Sequence, residues 1–298
     1  MQAYIEMSKC ADAEFVGVAF GSADEGNPES LNSYGIKTFP SYEEMIEETS
    51  PDVAVVSPIF GLTGKIIKYC AERKIDVFAE KPVASSLEEL EEIEKAVKDN
   101  GIHFSAMHYL RFSSAFYHAQ KEVENGAIGE VKLLTAQKSY KYGVRPDWYS
   151  DRALYTGTIP WIGIHAIDWV YFFAKKQFKS VSALHCGNPE KTALCQFEME
   201  DDVFASVNLD YYRPSQAPSH GDDRIRVVGT KGIIEVRGRK YQLINEDGVK
   251  EIKPEGAPNL AYEFLMNREE LSADEVFMLT RVALIAREAA DIGKKLEI

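Results

Sequence analysis

Cysteine, positive charge and long apolar runs are all scarce in this sequence. The four cysteines stand apart from one another, without a CxxC pair, and their spacing matches no common zinc site. Few and scattered thiols are typical of a reducing compartment, so we expect a cytoplasmic protein. Residues 1–6 lack a basic segment followed by an apolar core, so we expect no signal peptide.

Acidic residues outnumber basic ones by 47 to 34, which gives a formal net charge of −13. Nucleic acids and anionic membrane surfaces are bound by clustered lysine and arginine, so this composition argues against both partners. An anionic cofactor is not excluded, because backbone amides and one lysine can bind a phosphate within an acidic protein. The longest apolar stretch, residues 159–174, contains His165 and Asp168 and is therefore predicted to be a buried helix, not a membrane span.

Helix and strand patterns alternate through residues 1–107. Helices are predicted at 2–10, 42–49, 65–73 and 86–100, and strands at 14–20, 52–56, 77–79 and 102–107. Such alternation predicts an α/β fold with a parallel, doubly wound sheet and right-handed crossovers. The pattern changes after Met107, where we place a domain boundary.

Residues 108–298 are predicted to form a second domain with a different pattern. Helices are expected at 113–125, around His165 and at 273–295, and strands at 130–140 and at six places between Val181 and Asn245. This predicts an α+β domain with a largely antiparallel, open sheet, and the closing helix is a candidate to pack back on the first domain. An open sheet exposes an apolar face unless it is covered, so we expect a homodimer or homotetramer.

One strand of the first domain ends abruptly in Glu80, Lys81 and Pro82. Proline cannot extend a parallel ladder, and ligands bind just beyond the carboxyl ends of strands in open α/β sheets. Lys81 is therefore a candidate catalytic residue, because an ammonium group beside a hydroxyl polarises it, and burial lowers the lysine's own pKa. Glu80 is a candidate to orient it. The alternative is a solvated lysine beside a surface acid.

His165 and Asp168 are three residues apart on an apolar helix and therefore share a face. His165 could shuttle a proton, with Asp168 setting its tautomer or bracing the helix. The alternative is a core histidine that is satisfied by hydrogen bonds. A metal site is not predicted, because no third ligand has a clear spacing.

Aromatic and polar side chains follow the last strand of the first domain and fill a loop of the second. His108, Tyr109 and Arg111 come directly after Met107, and the loop contains Tyr142, Arg145, Trp148 and Tyr149. Sugars are held by hydrogen bonds and flat apolar faces, so this composition suits a polyol. The alternative is an aromatic loop that anchors itself to its domain.

Four segments, in this order and spacing, resemble the Gfo/Idh/MocA family, which includes glucose–fructose oxidoreductase and inositol 2-dehydrogenase. Residues 52–58 look like the family's strand ending in Thr-Pro, and residues 80–82 match its EKP motif. Residues 125–131 are similar to its segment entering the second domain, and residues 163–168 to its GxHxxD helix. The resemblance covers essentially the whole chain from residue 2.

The resemblance implies a Rossmann-like domain that binds NAD or NADP and a second domain that binds a sugar or polyol and often forms the oligomer interface. The implied reaction is hydride transfer between a secondary alcohol carbon and the nicotinamide. Lys81 and His165 would correspond to the family's catalytic lysine and histidine. The candidate cofactor-binding residues are Ser57, Pro58, Glu80 and Lys81, and the candidate substrate-binding residues are Tyr109, Arg111, Tyr142, Trp148, Trp161 and Asp168.

The sequence departs from the family pattern at three places. No GxGxxG occurs, although that loop supplies the amides for the pyrophosphate, and Asp24 is the nearest acid after the strand ending at Phe20. Trp161 stands where the family often has an aspartate, four residues before the histidine. We therefore expect an N-terminally truncated Rossmann-like domain with impaired cofactor binding. Its sheet is expected either to be rearranged, to borrow a strand from another subunit, or to leave the domain weakened.

Two further hypotheses remain open from the sequence. The chain could be a non-catalytic sugar-binding or regulatory member of the family. Alternatively, the true gene product could begin upstream and carry the glycine-rich loop.

Overall fold

The computed structural model describes residues 13–20, 35–187, 189–268 and 271–298. Its helices, in chain order, are α1 (Tyr42–Thr49), α2 (Thr63–Glu72), α3 (Leu87–Asn100), α4 (Ser114–Glu124), α5 (Arg152–Tyr155), α6 (Ile164–Ala174), α7 (Leu260–Leu265) and α8 (Ala273–Ile292). Its first strands are β1 (Val18–Ala19), β2 (Thr38–Phe39), β3 (Val53–Val56), β4 (Asp76–Ala79) and β5 (Phe104–Ala106). The later strands are β6 (Val131–Tyr140), β7 (Phe178–Gly187), β8 (Glu190–Met199), β9 (Phe204–Asp210), β10 (Gly221–Gly229), β11 (Gly232–Arg237), β12 (Lys240–Asn245), β13 (Gly248–Ile252) and β14 (Leu296–Glu297).

The chain divides into two compact units. Unit 1 comprises the described residues up to Met107 together with those of Asn259–Met278, and unit 2 comprises those of His108–Pro258 and Leu279–Ile298. Unit 1 is thus made of two stretches that are far apart in the sequence. The predicted helix at 2–10 lies outside the described residues.

The strands of unit 1 are parallel, as the alternating pattern predicts. In the described residues they form a three-stranded sheet in the order β3-β4-β5 and a separate pair, β1-β2. Val77, Phe78 and Ala79 of β4 are fully buried, which is why this strand is apolar without alternation. Helix α3 begins where Ser86 Oγ accepts a hydrogen bond from the backbone N–H of Glu89, and it ends at Gly101 in the left-handed conformation.

Side chains from the second stretch of unit 1 complete its core. The ring of Phe264 in α7 lies 4.3 Å from that of His103 and 5.1 Å from that of Phe78. Phe277 stacks on Phe104 at 5.1 Å, and Ser105 Oγ donates a hydrogen bond to the carbonyl of Leu271 at 3.0 Å. Residues 259–278 are therefore part of the packing of the parallel sheet.

A nine-stranded sheet dominates unit 2, in the order β13-β12-β11-β10-β6-β9-β8-β7-β14. All neighbours in it are antiparallel except β6 and β9. Helices α4 and α6 pack on one face, where Leu134, Ala136 and Lys138 of β6 are buried. On the other face Leu133 is 44% exposed and Phe204, its neighbour across the β6–β9 register, is 50% exposed.

The predicted fold class, a Rossmann-like parallel domain followed by a domain with a largely antiparallel sheet, is confirmed. Ahead of the apolar helix, residues 152–155 form the short helix α5. Asp151 caps this helix by accepting a hydrogen bond from the backbone N–H of Ala153 at 2.9 Å.

Candidate functional site

The four candidate cofactor-binding residues lie at one edge of the three-stranded sheet. Val56 pairs with Ala79 at the carboxyl ends of β3 and β4, so the residues that follow these strands come together. Ser57 and Pro58 follow β3, with Ser57 exposed and Pro58 half-buried. Glu80 follows β4, and its backbone N–H donates a hydrogen bond to the carbonyl of Val56 at 2.7 Å.

Lys81 is a buried lysine at this edge, with 6% of its surface exposed. Its Nζ lies 3.5 Å from Oε1 of Glu80, and its peptide bond to Pro82 is cis. Burial lowers the pKa of Lys81, and the nearby Glu80 carboxylate opposes that effect only in part. A solvated surface lysine, the alternative that the sequence left open, does not describe this side chain.

In unit 2, Arg111 and Asp168 form a buried ion pair. Arg111 lies in a 3₁₀ turn, Tyr109–Phe112, and its Nε donates to Oδ1 of Asp168 at 2.8 Å while its Nη2 contacts the same oxygen. Both side chains are essentially inaccessible to solvent. Burial alone would raise the pKa of Asp168, but the charge of Arg111 and the contact with His108 hold that pKa below its usual value.

His108 connects this ion pair to the candidate catalytic histidine. Its Nδ1 lies 3.3 Å from Oδ2 of Asp168, and its ring lies 6.1 Å from that of His165 in an edge-to-face arrangement. His108 is completely buried and His165 is half-buried. A chain of neighbouring side chains therefore leads from Arg111 through Asp168 and His108 to His165.

The local backbone around His165 is unusual. Residues Ile159–Gly163 form a π-helical turn directly before α6, and such turns are frequent at functional sites. Gly163 is packed closely, because a Cβ at this position would lie 2.6 Å from Cδ1 of Leu209 in β9. The absence of a side chain at position 163 thus lets the start of α6 lie against the sheet.

The loop after β6 carries a cluster of aromatic rings. Trp148 lies 4.3 Å from Tyr149 and meets Trp161 edge-on at 6.4 Å, while Tyr142 meets Tyr211 edge-on at 5.5 Å. Tyr142, Trp148 and Trp161 are half-buried, so each keeps part of its surface accessible. Tyr109, a further candidate substrate-binding residue, is half-buried in the same 3₁₀ turn as Arg111.

Lys138 is a buried lysine of unit 2 that no sequence motif marks. This lysine is fully buried on the inner face of β6, where its Nζ donates to Oδ1 of Asp223 at 2.9 Å and lies 4.6 Å from the centre of the Trp169 ring. The alternation of β6, with Leu134 and Ala136 two residues apart before it, was the signal that Lys138 points inward. Its partner lies 85 residues away, and only the β6–β10 register brings the two together.

The described residues contain neither a metal-binding cluster nor a membrane-spanning helix. No group of three or more His, Cys, Asp or Glu side chains in this part of the chain is arranged to hold a metal ion. No helix within the same residues is both long enough and apolar enough to cross a membrane.

Comparison with known proteins places both units in one family. Residues 2–108 match the GFO/IDH/MocA oxidoreductase family with an NAD-binding Rossmann fold, and residues 116–235 match the GFO/IDH/MocA C-terminal domain. A Thermotoga maritima protein described as an oxidoreductase is 38% identical to the chain, with a TM-score of 0.96, and the match covers 100% of this chain and 97% of that one.

Two further relatives are more distant. The scyllo-inositol 2-dehydrogenase (NADP(+)) IolW of Bacillus subtilis is 24% identical over 69% of this chain and 52% of its own length. A levoglucosan dehydrogenase solved with NADH and levoglucosan is 16% identical, with a TM-score of 0.85 over 99% of this chain and 94% of that one, a likeness of fold alone. The match spans between about half and two thirds of the length of the first curated relatives. The chain belongs to the GFO/IDH/MocA family of oxidoreductases.

Proposed function

We propose that this chain oxidises or reduces a secondary alcohol of a sugar or polyol, with NAD or NADP as the hydride partner. The observation that carries this proposal is Lys81, a buried lysine with a lowered pKa at the carboxyl edge of a parallel sheet. The family membership of both units supports it. The nicotinamide coenzyme would accept or donate the hydride.

The residues at the sheet edge fit the nicotinamide end of such a coenzyme. Ser57 offers a hydroxyl, Pro58 an apolar surface, and Lys81 a positive charge at the carboxyl ends of neighbouring strands. The 298-residue sequence has no GxGxxG to supply amides for the pyrophosphate. We therefore propose that this chain binds the coenzyme weakly. The relatives do not choose between NAD and NADP, since one is named for NADP and another was solved with NADH.

Lys81 and His165 are the residues proposed to handle the alcohol proton. A lysine whose pKa is lowered by burial can take up that proton at Nζ and return it, and Glu80 at 3.5 Å orients the ammonium group. His165 is the second candidate for this role. Asp168 and Arg111 are proposed to act through His108, as a buried support for His165, instead of contacting the substrate themselves.

The experiment that tests the proposal follows nicotinamide absorbance while the purified chain is incubated with NAD or NADP and a panel of sugars and polyols. We expect slow turnover of at least one substrate that is abolished by Lys81→Ala. The proposal would be overturned if Lys81→Ala turned over substrate as fast as the parent chain. It would also be overturned if the parent chain turned over no substrate at saturating coenzyme.

A non-catalytic sugar-binding protein is the second candidate function, favoured by the missing GxGxxG. A fluorescence titration with NADH and NADPH separates the two. We expect a dissociation constant above about 10 μM, or a binding free energy weaker than roughly −7 kcal/mol, for both coenzymes. Tighter binding would contradict the weak-binding proposal. A chain that binds neither coenzyme but still binds a sugar would favour the non-catalytic function.

A further inference from the structure

Two positively charged side chains of unit 2 lie against the ring of Tyr142 without a negative partner among the described residues. A third cation, Lys141, precedes this tyrosine in the chain, and its Nζ donates to the backbone carbonyl of Ala217. Nζ of Lys191 lies 4.6 Å from the centre of the Tyr142 ring, and the guanidinium carbon of Arg145 lies 5.9 Å from it. Nη2 of Arg145 is also 3.5 Å from the backbone carbonyl of Lys141. Within the described residues, Lys141, Arg145 and Lys191 form no ion pair.

Three acids of the neighbourhood are already engaged. Asp210 accepts hydrogen bonds from Ser139 Oγ at 2.8 Å and from the backbone N–H of Tyr212 at 3.0 Å. Asp223 is paired with the buried Lys138, and Glu190 with Arg152. In a chain of net charge −13, three uncompensated cations at one place are a local exception that the composition does not predict.

Arg145 is held in place before any ligand is present. Its guanidinium carbon lies 5.0 Å from the ring of Tyr149 and 5.5 Å from that of Tyr211, and Nη1 donates weakly to the Tyr149 hydroxyl at 3.3 Å. The Nε of Arg145 is buried and has no hydrogen-bond partner within the described residues. A cation that is fixed by aromatic rings yet lacks a full set of acceptors is prepared for an anion.

A second observation reports the same positive field. His220 lies beside this group, with its ring 5.0 Å from that of Tyr140. Burial and then the charges of Arg145 and Lys141 lower the pKa of His220, while Asp223 acts in the opposite direction. The charges of Arg145 and Lys141 therefore act on a further side chain at this end of the sheet.

The group lies just beyond the ends of two neighbouring strands. Strands β6 and β9 are the parallel pair of the sheet, and their carboxyl ends lead directly into Tyr142 and Tyr211. The half-buried rings of Tyr142 and Trp148 offer flat apolar surfaces of the kind on which a sugar ring packs. Cations and flat rings thus occur together.

We infer that Lys141, Arg145 and Lys191 form an anion subsite, and that the substrate is a monosaccharide bearing a carboxylate or phosphate group rather than a neutral polyol. This inference rests on the proposed function for its assignment to a substrate. The subsite itself is defined by unit 2 alone and can be tested without turnover.

The test measures binding to the full chain by isothermal titration calorimetry, without coenzyme. The probes are glucuronate, glucose 6-phosphate, glucose, acetate and inorganic phosphate. We expect glucuronate or glucose 6-phosphate to bind at least tenfold more tightly than glucose, and more weakly as salt is added. Which of the two binds more tightly identifies the anionic group. Equal affinity for glucose, no binding of either anionic sugar, or equal affinity for acetate or inorganic phosphate would each overturn the inference.

Variants locate the binding. Arg145→Gln and Lys191→Gln are each expected to weaken binding of the anionic sugar at least tenfold, while Lys132→Gln, at an exposed lysine of the same unit, leaves it unchanged. Lys191→Gln keeps the test decisive if Arg145→Gln fails to fold, because Arg145 packs against three aromatic rings whereas the Lys191 ammonium is placed over that of Tyr142. Unchanged binding by Lys191→Gln would overturn the inference. If the parent chain binds the anionic sugar but shows no coenzyme-dependent turnover, the result would instead count against the proposed function.

Discussion

At the scale of single residues, Lys81 is placed where its charge costs free energy. Because burial lowers its pKa below the ordinary 10.5, the unfolded chain holds this proton more tightly than the folded chain does. Stability contributed by the neutral form is therefore complete above pH 10.5 and is lost as the pH falls through the folded-state pKa. At neutral pH the lysine is retained at a cost in stability.

Lys81→Met is therefore expected to affect stability and activity in opposite directions. Turnover should fall by about 10²-fold or more, the range of a lost general acid or base. The free energy of unfolding at neutral pH should rise. Below pH 10.5, the free energy of unfolding of the variant should increase less steeply with pH than that of the parent chain. Urea denaturation across pH measures the second effect, with the exposed Lys95→Met as control. A large loss of stability with Lys81→Met would contradict this account.

Arg111 and Asp168 show the opposite balance. The folded-state pKa of Asp168 lies below the ordinary 3.8, so the ionised pair stabilises the fold at neutral pH, and this stability is lost as the pH falls below 3.8. Removing one partner leaves a buried charge without compensation, which costs about 3–5 kcal/mol.

Arg111→Met should accordingly lower the free energy of unfolding by about 3 kcal/mol or more. The double variant Arg111→Met/Asp168→Leu should recover much of that loss, since no unpaired charge remains. Chemical denaturation of the two variants and the parent chain measures both effects. A double variant that is no more stable than Arg111→Met alone would show that the unpaired charge is not the cause.

At the scale of the elements, helix α3 is defined by interactions at its first turn. Ser86 Oγ accepts from the N–H of Glu89, and Oε2 of Glu89 accepts from the backbone N–H and Oγ of Ser85 at 2.7 and 2.8 Å. Ser86→Ala should lower the free energy of unfolding by about 1 kcal/mol, and Ser86→Asp, which keeps an acceptor, should restore most of it. Thermal and urea unfolding measure both effects. If both variants were as stable as the parent chain, the Ser86 cap would contribute less to stability than expected.

The sequence predicts those features of the elements that depend on local signals, but not those that depend on contacts between distant residues. The apolar run before Glu80 and the cap at Ser86 are local signals, and both mark real boundaries of β4 and α3. The contact between Lys138 and Asp223 depends on the register of two strands, and the packing of Phe264 against Phe78 joins residues far apart in the chain. Lys81 and His165 were predicted from local motifs, whereas the buried role of His108 depends on a turn meeting α6.

At the scale of the whole molecule, the open face of the nine-stranded sheet is the feature that concerns assembly. Leu133 and Phe204 lie side by side on it, 44% and 50% exposed. Apolar neighbours exposed on a sheet face are expected to be covered by another molecule, and a second copy of this chain would give a homodimer or homotetramer.

Phe204→Glu is expected to shift this assembly towards monomer by placing a charge on the apolar face. Sedimentation velocity at several protein concentrations measures the change. Val144→Glu, at a fully exposed position of the loop between β6 and α5, is the control and should leave the assembly unaltered. A parent chain that sediments as a monomer at all concentrations would contradict the expectation.

The two-stretch composition of unit 1 also has a consequence for synthesis. Phe78 and Phe104 are made early, but Phe264 and Phe277, which cover them, belong to a stretch that ends about 170 residues after Met107. A ribosome adding about 5–20 residues per second needs roughly 10–30 s to reach that point. During this interval the first sheet exists as a nascent intermediate with uncovered aromatic rings, a target for chaperones that an uninterrupted domain would not present.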